Sequence, residues 1–278
     1  MKPIPKRSPL RFIAGRAYHM VRRYMQWYVM PINWADIQGE LLPCVAFEHR
    51  TPLLRDLPEY DMWMQHNKII NLNIAVQHIN RLIVHPQETF SYWRCIGKPT
   101  SEKGYLEGMV LVDGRIKSGV GGGLCQLSNL IYWMTLHTPL TVVERHRHSY
   151  DVFPDSNRTQ PFGSGATCAY PYIDLQVKNN TTQTYQLEVF LTDDQLVGKW
   201  RSEEQPPHKY QVYEKAHRIT HDNMHGYLRH NIIHREVYNQ QDQLIDDEYV
   251  TENHAVMMYE PFLPDGQSDN PSSDMQPR

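Results

Sequence analysis

The chain has 278 residues, 40% hydrophobic and 21% charged, with a formal net charge of -3. That length holds one large domain or a core with an appendage, and the composition is that of a soluble globular protein. So small a net charge gives no whole-protein field for nucleic acid. No apolar run approaches the roughly 20 residues of a membrane span, and no short apolar stretch with a small-residue cleavage site marks an export signal. The expected location is therefore cytoplasmic, with peripheral contact at the inner membrane face as the variant.

The N-terminal region, residues 1–60, opens on a cationic helix. Lys2, Lys6, Arg7, Arg11, Arg16, Arg22 and Arg23 all precede the first acidic residue, Asp36. Ile13, Ala17, Val21, Tyr24 and Tyr28 recur at helical spacing, with Phe12, Met20, Met25 and Trp27 widening the stripe. Such a stripe usually faces a core, so docking on the domain is the first expectation; contact of residues 1–30 with an anionic membrane is the second.

A core domain is expected over 61–205. The spacing of Ile69, Leu72, Val76, Ile79 and Ile83 predicts a long helix from Met62 to Leu82, ended by Pro86. Extended pieces follow at Thr89 to Trp93, Gly108 to Val112 and Arg115 to Ser118, the last two joined by the hairpin pair Asp113-Gly114. A glycine run then leads to Cys125, and a helix is expected from Leu124 to His137. Further strands are expected at Thr141 to Ser149, Gly165 to Ala169, Ile173 to Lys178, Thr184 to Thr192 and Gln195 to Trp200. Pro206-Pro207 marks a joint to a β-rich extension over 206–262, made of Tyr210 to Ile219, Tyr227 to Tyr238 and Gln243 to Met258. Residues 263–278, rich in Pro, Ser, Asp and Gln, read as a disordered tail. The fold class is α+β: a mixed or antiparallel sheet with the cysteine-bearing helix packed on it, and the β-rich C-terminal extension.

The chemistry concentrates between Gly119 and Asp174. Gly121, Gly122 and Gly123 remove every Cβ from the turn before Cys125, so peptide N–H groups there, together with that of Gln126, can approach a carbonyl or carboxylate as an anion nest or oxyanion hole. A thiol at a helix start is stabilised as thiolate by the same donors. In an extended strand Glu144, His146 and His148 share one face, and Arg145 and Arg147 the other. The expected parts are Cys125 as nucleophile, His148 or His146 as base, and Asp174 to orient the imidazole. Arg145 or Arg147 would fork onto a substrate carboxylate.

Each part also has a plainer reading: one cysteine on an amphipathic helix is usually a small buried hydrophobe, and a single histidine is usually structural. Cys125, His146, His148 and Asp151 can be drawn as a zinc set, but the spacing is a weak metal pattern. No metal and no cofactor is expected. Cys44, Cys95, Cys125 and Cys168 show no CxxC spacing and read as reduced thiols.

The run Gly121-Gly122-Gly123-Leu124-Cys125-Gln126-Leu127-Ser128-Asn129 and the segment Val143-Glu144-Arg145-His146-Arg147-His148-Ser149, followed by Asp174-Leu175 and Asn179-Asn180, closely resemble the VanW domain over about residues 65 to 200. The resemblance implies association with glycopeptide resistance and with peptidoglycan of the cell envelope. Through L,D-transpeptidase chemistry tied to some members, it also implies that Cys125 is the nucleophile. The implied partner is a peptidoglycan-type peptide or precursor. A non-catalytic module that captures a peptide carboxylate is the alternative.

Overall fold

The computed structural model describes residues 9–54, 62–112, 114–147, 149–152, 160–222 and 226–260. The expected tail, the hairpin residue Asp113 and the candidate base His148 lie outside them. In chain order the elements are α1 (Pro9–Tyr28), β1 (Cys44–Pro52), α2 (Met62–Gln77), β2 (Leu82–Val84), β3 (Thr89–Ser91), α3 (Tyr92–Ile96), β4 (Glu107–Val112), β5 (Arg115–Val120) and α4 (Cys125–Leu136). They continue with β6 (Thr141–Glu144), β7 (Tyr150–Asp151), β8 (Gln176–Lys178), β9 (Tyr185–Leu191), β10 (Gln195–Ser202), β11 (Lys209–Asp222), β12 (Gly226–Tyr238) and β13 (Leu244–Met257). The fold is α+β.

One antiparallel sheet has the order β1-β10-β9-β2, and a second the order β3-β8-β6. Between them lies α4, which packs on β10, β1 and β6. Its apolar residues Leu127, Leu130, Ile131, Met134 and Leu136 are all buried, each worth about 1.5–3 kcal/mol of transfer free energy as an upper bound. α2 covers β9 and β4, with Leu72, Ala75 and Val76 in the same core. The β4–β5 hairpin pairs Val112 with Arg115, and Gly114 turns it at a φ of 72°. The long strands β11, β12 and β13 form the expected C-terminal sheet, joined in parallel at β13 by the short β7.

Several local expectations need correction. The helix from Met62 stops at Gln77, and Arg81, at a φ of 61°, turns the chain into β2. Trp93 belongs to α3, because the Ser91 side chain caps the helix by accepting from the Arg94 N–H at 3.3 Å. The strand from Thr141 ends at Glu144, and β8 begins only at Gln176. Gly165 to Ala169 forms no strand, only a bridge from Ala169 to Ile173. β1, unforeseen, takes the edge of the first sheet beside β10.

The stripe of α1 also points the other way. Ile13, Ala17, Val21, Tyr24 and Tyr28 are exposed, and among the described side chains of the helix the buried ones are Arg23 and Trp27. No described helix is long and apolar enough to cross a membrane.

Candidate functional site

The glycine run is held from three sides before it reaches Cys125. Gly121 donates its N–H to Leu106 O at 3.0 Å, Gly122 to Gly119 O at 3.0 Å, and Gly123 to Met109 O at 2.9 Å. The buried Asn71 side chain of α2 donates to Gly122 O at 2.9 Å and to Leu106 O at 3.0 Å, and accepts from the Leu106 N–H at 2.8 Å. Gly121 and Gly123 have φ of 77° and 89°. Gly122 lies so close to Gly108 that a Cβ on it would stand 2.1 Å from the Gly108 carbonyl carbon. The three glycines are therefore required by backbone conformation and close packing against β4.

That arrangement revises the expected anion nest. The amides of Gly121 and Gly123 are taken by the Leu106 and Met109 carbonyls and that of Gly122 by Gly119, and Gln126 donates its N–H to Gly123 O at 3.0 Å. The Gln126 side chain reaches away, to Thr51 Oγ1 at 3.0 Å and Pro52 O at 2.9 Å, tying α4 to β1. Among the described residues no backbone carbonyl receives the N–H of Leu124 or Cys125. Both amides lie at the positive end of α4, where the Cys125 N–H contacts its own sulfur.

Cys125 is half-buried as a residue, while its sulfur sits inside and donates to Cys168 O at 3.8 Å. Burial pushes the thiol up from its ordinary value, against the smaller lowering effect of hydrogen bonds from the Cys168 backbone and from its own backbone. The second thiol, Cys168, lies close enough to interact electrostatically with the first and is raised still further by burial. Burial at this helix start thus raises the thiol, where the sequence predicts a lowered one. All four cysteines are free thiols. The Tyr92 hydroxyl steadies the start of the helix by donating to Leu124 O at 2.9 Å.

His146 and Glu144 do meet, with Nε2 and Oε1 3.2 Å apart. Burial would raise the Glu144 carboxyl, but hydrogen bonds from His146 and Arg23 outweigh it and hold the group below its usual value. The backbone of His146 accepts the Thr167 N–H at 2.8 Å, one residue before Cys168. The His146 strip thereby runs beside the carbonyl that receives the Cys125 thiol. The ring itself pairs with Glu144, and no hydrogen bond joins it to Cys125 among the described residues.

Asp174 is fully buried and does not orient an imidazole among the described residues. It accepts from Ser91 Oγ at 2.6 Å, from the Trp93 N–H at 2.9 Å, from the Leu175 N–H at 3.0 Å and from Gln176 Nε2 at 3.1 Å. Burial pushes its carboxyl up to about 6 despite those donors. Its role here is to hold the start of α3 and to face Arg23, whose Nη1 lies 3.9 Å away.

Arg23 is the residue that sequence reasoning missed. From α1 it enters the domain, bonds to Glu144 and to the Tyr172 carbonyl, and lies over the Trp27 ring. Trp27 follows it inward and donates its indole N–H to Ser91 Oγ at 3.1 Å. The available signal was the lone Asp174 among apolar neighbours, since a buried acid needs partners.

The two arginines expected to bind substrate are committed elsewhere. Arg145 donates to Gly165 O at 2.9 Å, to Gly163 O and to Thr251 Oγ1 at 3.3 Å, and stacks on Tyr132 at 4.8 Å. Arg147 donates to His254 O. Both fasten the C-terminal sheet to the domain. Asp151, the fourth member of the zinc set, pairs with Arg229 at 3.3 Å and accepts from the Tyr259 hydroxyl at 2.8 Å. No group of three ligating side chains is gathered for a metal among the described residues. A cleft of about 200 Å³ opens between α4, β6 and β13, with Glu144 and Arg145 on its wall; Cys125 does not line it.

Residues 67–201, which carry Cys125, Glu144, His146 and Asp174, match the family model described as VanW like protein. The chain belongs to the VanW family. It is 37% identical over 180 residues to the vancomycin B-type resistance protein VanW of Enterococcus faecalis, covering 64% of this chain and 66% of that protein. It is 31% identical over 113 residues to the uncharacterized protein YoaR of Bacillus subtilis, covering 41% of this chain and 36% of that one. The chain thus spans just under two thirds of the first relative and about a third of the second. No solved structure matches the chain. The VanW match begins inside α2 and ends inside β10, so α1, β1 and the C-terminal sheet lie outside it.

Proposed function

We propose that the protein serves in glycopeptide resistance by engaging a peptidoglycan-type peptide or precursor at the Cys125 end of α4. The Enterococcus relative, a vancomycin B-type resistance protein by name, supports the process. The observation that carries the mode of action is the Cys125 thiol, which donates to the Cys168 carbonyl and is held protonated by burial. A protonated, inward-facing thiol supports binding without covalent turnover. In that reading the Leu124 and Cys125 N–H groups, at the positive end of α4, receive the peptide carboxylate.

Cysteine-dependent acyl transfer or amide hydrolysis is the second reading, favoured by the His146–Glu144 pair beside the segment that carries Cys168. Here the thiol proton passes to His146 or His148, the sulfur attacks the peptide carbonyl, and the same two N–H groups hold the oxyanion. The protonated imidazole then gives its proton to the leaving amine. Iodoacetamide separates the two: binding predicts that Cys125 in the folded protein resists alkylation at neutral pH, whereas catalysis predicts reaction with an apparent pKa below that of an ordinary thiol. Titration with a synthetic peptide ending in a D-amino acid should shift the Leu124 and Cys125 amide resonances. Unmoved amides, at saturating peptide, would sink both readings of this site.

A further inference from the structure

We propose that the outward face of α1 is a docking surface for an anionic lipid bilayer. The polarity of this helix is the reverse of one packed on a core. Toward the protein it turns Arg23, Gln26 and Trp27, with the His19 ring 5.9 Å from that of Tyr172. Toward solvent it turns Ile13 (63% exposed), Tyr18, Val21 (58%), Met25 and Tyr28 (71%), and the exposed apolar surface continues through Val29 and Met30. Tyr18, Val21, Met25 and Tyr28 follow one another at intervals of three and four residues and form one stripe along the helix.

Charge selects what covers this stripe. Every charged residue before Asp36 is a cation, seven in all, and Arg16 and Arg22 are exposed on the helix itself. A second copy of the chain packed face to face would bring Arg16 and Arg22 of the two copies together with no carboxylate on the helix to pair them. A layer of anionic headgroups is complementary to the exposed Arg16 and Arg22. Tyr18 and Tyr28 add rings with an apolar body and a polar tip, the side chains suited to the headgroup level. The helix is not long and apolar enough to cross a bilayer. It would lie in the plane of the interface, over a length of about 30 Å.

The back of the helix gives this surface a direction. Arg23 bonds to Glu144 inside the VanW domain, so docking would hold the Glu144 and His146 pair about one helix diameter, roughly 10 Å, from the headgroups.

The full chain is tested by co-sedimentation with phosphatidylcholine vesicles and with vesicles containing about one third phosphatidylglycerol, at low and at high salt. Binding should favour the anionic vesicles by at least about tenfold and fall at high salt. Arg16→Gln with Arg22→Gln should weaken it by about 25-fold, at about fivefold per cation. Val21→Glu with Met25→Glu should abolish it. All four side chains are exposed, so both variants should keep the thermal midpoint and circular dichroism of the wild type. Equal affinity for the two vesicle types, or none, overturns the proposal. So does a lipid-free dimer in sedimentation velocity that Val21→Glu with Met25→Glu converts to monomer, which would assign the face to a second copy. Cys125→Ser should leave lipid binding unchanged, so this surface stands or falls apart from the reading of the thiol.

Discussion

A single methyl at Gly122 tests whether the glycine run is a packing device. An ideal Cβ there stands 2.1 Å from the Gly108 carbonyl carbon, 2.2 Å from its oxygen and 2.6 Å from its Cα. Carbon atoms settle at about 3.5–4.0 Å, so the loop and β4 must part by roughly 1–2 Å. Both sides are backbone, and neither can rotate away. The parting pulls on the bonds from Gly121 to Leu106, from Gly123 to Met109 and from Asn71 to Gly122. Overpacking costs about 1–3 kcal/mol, and each weakened bond up to about 1 kcal/mol more. Gly122→Ala should therefore lose about 3–5 kcal/mol, which for a chain of this size lowers Tm by roughly 10 °C. Gly15→Ala is the control: nothing lies within 4 Å of its added methyl, and alanine is favoured in a helix by about 1 kcal/mol. Urea unfolding followed by tryptophan fluorescence, with a thermal scan, measures both. A Gly122→Ala protein within about 0.5 kcal/mol of wild type, the ordinary range for inconsequential substitutions, would refute the claim that the loop is seated on β4.

Two buried groups should give opposing pH dependences in the same window. Burial raises the Asp174 carboxyl from 3.8 to about 6. The folded state then holds that proton more tightly, and its stabilising effect, present below about pH 4, is lost as pH rises through about 6, by about 3 kcal/mol. Burial lowers His137 from 6.5 to about 4, against the bond to the Trp133 carbonyl. Its effect is present above about pH 6.5 and is lost as pH falls to about 4, again by about 3 kcal/mol. In urea titrations from pH 4 to 7, Asp174→Asn should unmask a rise of stability with pH and His137→Gln a fall; the opposite pair of slopes would show that hydrogen bonding outweighs desolvation at these sites. Arg145→Met should cost about 2–4 kcal/mol through lost charged hydrogen bonds and stacking. Amide exchange in β13 should then accelerate, and unchanged β13 protection would show that Arg145 does not fasten that sheet.

The parts of this chain that were legible in the sequence are those governed by local rules. The Asp113-Gly114 pair gave the β4–β5 hairpin, and the apolar run after Cys125 gave α4 within a residue at each end. Long alternating segments gave β11 to β13. Contacts between distant segments were the ones that misled. The glycine triplet was read as a nest because its vacant Cβ positions invite a ligand; the occupant is Gly108, 14 residues earlier, with Lys68 and Pro99 against the flanking glycines. Arg145 and Arg147 were free cations on a strand face until β13 and the 163–165 loop supplied acceptors. The stripe of α1 carried the right period, but period does not say which side of a helix meets the protein. Glu144 and His146, two apart, did meet as an extended segment requires. Their placement relative to Cys125 depended on the Thr167 bond, which no spacing in the sequence encodes.

The engagement of Arg23 with Glu144 and Asp174 means that the folding unit is larger than the region of family likeness. A fragment cut to residues 67–201 would lose the guanidinium facing two carboxylates, the indole that donates to Ser91, and the strand that pairs along β10. It would carry an unsatisfied acidic pocket and a bare sheet edge open to pairing with other chains. Insolubility or silence in such a fragment would report the loss of α1 and β1, and would bear in no way on whether the Cys125 centre is active.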